Sequence, residues 1–143
     1  MLFNTTYRNK DYEKESNDTL GKAFSFIEKI QLGGVGSSRL VIAQLSENLQ
    51  PPNMQNTVTD YANIELRPKG IIIHFANRLE RYSWIIPYYR LVIYQSQTFS
   101  IHSSGNFIQF ERNKYFSNNK KFLQKMSDLK NTFLNLSNYD GLN

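Results

Sequence analysis

The chain predicts an α+β domain in which seven antiparallel strands form a barrel or orthogonal sandwich and a C-terminal helix caps it. Three observations lead there. Short β-rich runs recur about every ten residues between Arg39 and Glu111, separated by Gly, Pro, Asn and Ser, which marks successive antiparallel strands rather than alternating β-α units. The last part of the chain changes to a helical period. The 143 residues include 10 Phe and 9 Tyr, ample apolar bulk for one core and too little for two.

Residues 1–19 are polar with alternating charge and read as a flexible N-terminal arm. The remainder, 20–143, reads as a single domain with its core in 39–137. Between Leu20 and Leu32, the set Leu20, Phe24 and Ile27 fits one helical stripe ended by Gly33, although the spacing of Phe24 and Phe26 also fits a strand. This appendage precedes a first barrel strand at Arg39–Ser46. A long polar connection, Glu47–Asp60, carries Pro51 and Pro52 and has no periodicity of its own.

Tyr61–Leu66 and Ile71–Phe75 flank Arg67, Pro68, Lys69 and Gly70, where proline presets the first turn dihedral and glycine relieves the close, so a hairpin is expected. Leu79–Ile86 follows a turn at Ala76–Arg78, and Pro87 ends it by lacking a donor. Leu91–Tyr94, Thr98–Ser103 and Phe107–Glu111 complete the set. Phe122, Met126, Leu129, Phe133 and Leu136 then form an amphipathic stripe that Leu123 and Leu134 widen. Ser117, Asn118 or Asn119 is its expected N-cap, and Lys120, Lys121, Lys125 and Lys130 lie mostly off the stripe.

Composition narrows the chemistry. Zero cysteines exclude disulfides, thiolate zinc sites, iron–sulfur clusters and a cysteine nucleophile, and fit a cytoplasmic setting. Met1–Glu15 has no apolar signal core, and runs such as Ile71–Ile73 and Trp84–Ile86 are too short to cross a bilayer. The net charge of +5 is unevenly placed: residues 1–60 hold six Lys/Arg against seven Asp/Glu, and residues 61–143 hold eleven against five. Tyr82, Trp84, Tyr88, Tyr89 and Tyr94 among those cations suit either base stacking or, more simply, half-buried strand positions.

The order of elements, with Leu66–Ile73 as a hairpin followed by Trp84-Ile85-Ile86-Pro87-Tyr88-Tyr89, resembles bacterial pleckstrin-homology-like (PH-like) domain proteins of uncharacterised function. The resemblance covers about residues 39–137. It implies a helix plugging one end of a barrel and open loops at Glu47–Asp60, Ala76–Arg78 and Ser103–Asn106. Inositol-lipid readers of that superfold place a basic cluster in the first loop, whereas Glu47–Asp60 contains no Lys or Arg. Peptide-binding members imply a groove between Leu91–Tyr94 and the C-terminal helix.

His74 and His102 occupy strand positions opposite the apolar alternation, without HxH or HExxH spacing, so no metal is expected. Gly33–Ser38 lacks the phosphate-loop pattern and leads into a strand. Glu65, Glu80 and Glu111 fall in separate strands, and no nucleophile elbow is present, so no catalytic residue and no cofactor are expected. The expectation is a non-catalytic interaction module for a protein or peptide partner. The alternative is low-affinity binding of an anionic surface, phospholipid headgroups or single-stranded nucleic acid, through Lys69, Arg78, Arg81 and Arg90.

Overall fold

In the computed structural model, which describes residues 1–50, 60–77 and 79–141, the chain opens with β1 (Leu2–Asn4), α1 (Lys10–Leu20) and α2 (Phe26–Leu32). Strands β2 (Leu40–Leu45), β3 (Tyr61–Arg67), β4 (Gly70–Asn77), β5 (Glu80–Pro87), β6 (Val92–Gln95), β7 (Phe99–Ser103) and β8 (Asn106–Phe110) follow. Helices α3 (Lys114–Asn118) and α4 (Lys120–Gly141) close the described chain. Short 3-10 turns lie at Glu47–Leu49 and Tyr88–Arg90.

The strands make one antiparallel sheet in the order β1-β5-β4-β3-β2-β8-β7-β6. β2 is the link, pairing with β3 through Leu40 and Val41 and with β8 through Ile42, Gln44 and Leu45, and its register shifts between Ile42 and Gln44. Such an irregularity bends a strand and increases its twist. The two halves of the sheet contribute to one core: Ile64, Leu66, Ile73, Trp84 and Ile86 from one side meet Phe99, Ile101, Ile108 and Phe110 from the other. The arrangement is sandwich-like, and the ladder is open, since β1 and β6 are its two ends.

The hairpin expected at residues 67–70 is present, with Arg67 paired to Gly70 and Pro68-Lys69 as the turn. Gly70 is required there, because a Cβ would sit 2.3 Å from the Ile86 carbonyl oxygen and 2.5 Å from Leu20 Cδ2. The expected strand at Arg39–Ser46 is β2. Most of the polar connection expected at Glu47–Asp60, residues 51–59, lies outside the described residues, as does Arg78 in the turn after β4.

Four expectations are corrected. Residues 1–19 are not a free arm: Leu2, Phe3 and Asn4 pair with Trp84, Ser83 and Tyr82, making an eighth strand among the described residues. Asn9 caps α1 by accepting from the Tyr12 N–H at 3.0 Å, and the same helix seats Leu20 on Ile72 and Ile85, with Phe3 and Tyr12 alongside. Burial of a leucine of this kind contributes roughly 1.5–3 kcal/mol, which a polar-looking sequence conceals.

The stripe read across residues 20–32 divides at Gly21, whose φ of 80° ends α1. α2 is a separate helix, fixed by a Ser25/Glu28 capping box and by Gly33 in the left-handed region at φ 74°. Of the N-caps expected at Ser117–Asn119, Asn119 does stand directly before α4 and its carbonyl accepts from the Leu123 N–H at 2.9 Å, but its side chain is engaged elsewhere. Asn113 accepts from the Tyr115 and Phe116 N–H groups and starts the short α3, while Asn119 is buried between α3 and α4. Its Oδ1 accepts from the Ser38 N–H and hydroxyl, both at 3.0 Å, and its Nδ2 donates to the Tyr115 carbonyl at 2.8 Å. Finally, Tyr82, Trp84 and Tyr88 are buried in the core, the first two because alternate residues of β5 turn inward and Tyr88 from the 3-10 turn that follows; only Tyr89 and Tyr94 of that aromatic set are exposed. Burial pushes the Tyr88 hydroxyl up from its usual pKa.

Candidate functional site

α4 is held against the sheet by its apolar stripe. Phe122, Leu123 and Met126 are buried, Leu129 and Phe133 pack on the core, and the Phe133 ring lies 5.7 Å from that of Tyr88. α3 adds Phe116, whose ring is 5.4 Å from Phe99. With that face committed, the flank carrying Gln124, Ser127, Lys130 and Asn131 is turned toward β6.

β6 pairs with β7 through Val92–His102, Ile93–Ile101, Tyr94–Ser100 and Gln95–Phe99, and no strand among the described residues pairs with its other edge. Two adjoining depressions lie between β6 and α4. One, of about 210 Å³, is lined by Gln95, Arg112, Phe116, Lys120, Leu123, Gln124 and Ser127. The next, of about 330 Å³, shares Gln95, Gln124 and Ser127 and extends to Ile93, Lys130 and Asn131. Together they form a groove along this edge, lined among the described residues by three cations and no carboxylate. The groove expected beside Leu91–Tyr94 is therefore present one residue later in the chain, since Leu91 is buried and the strand is Val92–Gln95.

The cations expected to act together do not converge. Lys69 sits in the β3–β4 turn, where its carbonyl accepts from the Tyr88 N–H, and Arg90 lies just beyond, with its guanidinium 5.4 Å from the Tyr89 ring. Arg81 is opposite Ala76, near the far end of β4. An eight-residue strand separates these ends by roughly 23 Å, so Lys69 and Arg90 share no ligand-sized site with Arg81. Arg78 lies outside the described residues.

The outer face of β3, β4 and β5 carries a polar chain that sequence reasoning missed. Glu65 accepts from Arg67 Nε on one oxygen and faces His74 Nε2 at 3.0 Å with the other. His74 Nδ1 is 2.7 Å from the Ser83 hydroxyl, which is 2.8 Å from the Thr5 hydroxyl. Arg67 Nη1 donates to the Gly21 carbonyl at 3.0 Å. Burial pushes the Glu65 carboxyl up, but the hydrogen bonds and charges of His74 and Arg67 outweigh it and hold the pKa at about 2. A legible signal existed: once the turn at Pro68-Lys69 sets the register, His74 falls opposite Asn63 and Ser83, with Glu65 diagonal to it.

A cleft of about 460 Å³ adjoins this chain, lined in part by Tyr12, Tyr61, His74 and Arg81. Acid, imidazole and hydroxyl in series resemble a nucleophilic triad. Here Ser83 is 0% exposed and its hydroxyl is shared with Thr5 on the N-terminal segment, so the series ties β1 and α1 to the sheet. His102 is also engaged, with Nε2 at 2.9 Å from Ser100 Oγ and its ring on that of Phe107, and burial lowers its pKa. Among the described residues, no group of three or more His, Asp or Glu is placed to hold a metal ion, and no helix is long and apolar enough to cross a membrane.

Comparison with protein-family models, curated proteins and solved structures returns no match to this chain.

Proposed function

We propose that the protein is a non-catalytic interaction module that takes an extended peptide as an added strand on β6, against α4. The observation that carries this reading is the unpaired edge of β6 running along a groove whose opposite wall is a rigidly docked helix. Main-chain hydrogen bonds to a sheet edge supply affinity, and the depressions alongside receive alternate side chains. Four strands in a meander, three more in a second meander and a closing helix agree with the PH-like order of elements, which supports the same reading. The matching setting is a bacterial cytoplasm, in keeping with the absence of cysteine.

The wide separation of Lys69 and Arg90 from Arg81 speaks against a single anionic surface site for lipid or nucleic acid. A random dodecapeptide display library tests the peptide reading on the wild type and on Ser127→Trp, which fills the middle of the groove. Enrichment on the wild type that disappears in the variant is expected. Absence of enrichment on the wild type, or equal enrichment on both, would overturn it.

A further inference from the structure

We propose that the Gln95 end of this groove is an anion subsite that seats an acidic side chain of the bound peptide, either a carboxylate or a phosphomonoester. The proposal rests on the peptide reading and adds a chemical class to it. Arg112 supplies the first part. Its Nη1 donates to the Ser96 carbonyl, and its guanidinium carbon lies 4.9 Å from the Phe116 ring centroid. One hydrogen bond and one stacking contact fix the plane of the guanidinium, leaving most of its five N–H donors for a ligand.

Lys120, the first residue of α4, lines the same depression, so a cation from the β8–α3 connection and one from α4 line one small volume. Among the described residues neither is ion-paired. The acids nearest in sequence are otherwise engaged: Asp128 accepts from Gln124 Nε2 at 3.0 Å, and Glu111 accepts from Asn113 Nδ2 at 3.4 Å. Gln95 and Gln124 complete the polar lining. A planar, oriented guanidinium beside a mobile ammonium matches an oxyanion with two or three acceptor oxygens, and a neutral side chain leaves both charges unanswered. Lys130 at the Ile93 end adds charge without a described hydrogen bond to fix it, so the acidic position of the peptide belongs at the Arg112 end.

The test uses a peptide selected from the random dodecapeptide library on the full chain. Its acidic residue is replaced in turn by Asn and by phosphoserine, and each peptide is titrated into wild type and Arg112→Gln, with amide NMR shifts of Val92–Gln95 reporting occupancy of β6. Arg112 is exposed, so the variant is expected to fold, and its melting temperature checks this. On the wild type the Asn peptide is expected to bind about tenfold more weakly than the acidic one, and Arg112→Gln is expected to erase the difference. The phosphoserine arm tells which oxyanion the subsite prefers. Binding that perturbs β6 but changes by less than about twofold in both substitutions overturns the subsite and leaves the peptide reading standing. Failure of every peptide to perturb β6 overturns the peptide reading, and the subsite falls with it.

Discussion

At one end of the sheet, β5 is covered: Leu2, Phe3 and Asn4 pair with it, and α1 lies over the adjoining outer face with Leu20 between Ile72 and Ile85. At the other end, β6 has no such cover among the described residues, and the neighbouring helix stands beside a groove instead of filling it. Both are edges of one antiparallel sheet with the same need to satisfy main-chain groups. β1 is three residues long, so a short extended segment is enough to complete an edge of this sheet. The contrast teaches that the chain lays its own N-terminus along β5, leaving the three-residue β1 as that end of the ladder, and leaves β6 without a strand beside it among the described residues, which is the arrangement a strand-adding partner requires.

That contrast can be broken from the closed side first. Gly70→Ala is expected to have the largest effect, above about 3 kcal/mol of stability in urea unfolding, because its Cβ meets the Ile86 carbonyl, Leu20 and Pro87 all within 2.7 Å. Leu20→Ala is expected to cost about 3 kcal/mol by leaving a cavity over Ile72 and Ile85, and hydrogen exchange is expected to quicken in β1 and α1 before the rest of the sheet.

The polar clasp responds to acid. Glu65 binds its proton more weakly in the folded chain, so its stabilisation is present above about pH 4.5 and is lost as pH falls toward 2. Between pH 5 and pH 3 the wild type is expected to lose about 2 kcal/mol more than Glu65→Gln, measured by urea unfolding at each pH. The open side gives the smallest stability effect. Ser127→Trp lies on the flank of α4 that faces the groove, and a change within about 0.5 kcal/mol in chemical denaturation is expected, alongside the loss of peptide selection.

Much of the strand meander was legible because period-two alternation and turn chemistry are local. Pro68-Lys69-Gly70 fixed one hairpin, and Pro87 ended β5 as expected. The stripe Phe122, Leu123, Met126 likewise announced the face that α4 buries. The N-terminal segment was misread because its stabilising contacts, Leu20 on Ile72 and Thr5 on Ser83, join residues more than fifty positions apart and leave no periodic trace. The aromatic residues Tyr82, Trp84 and Tyr88 were ambiguous for a related reason: composition reports their presence, and only the register decides which face they take.

The site divides in the same way. Leu91–Tyr94 beside the C-terminal helix was legible through the order of elements, whereas Lys69, Arg81 and Arg90 looked like partners until β4 held them apart. The amino-acid sequence by itself determined where β2 to β8, the turns between them and the last helix form, since each rests on neighbours within a few residues. The tertiary structure decided which edge of the sheet is covered and which cation is held against the groove. Pairing of β1 with β5 and orientation of Arg112 by Ser96 and Phe116 depend on contacts that exist only once distant segments are packed together.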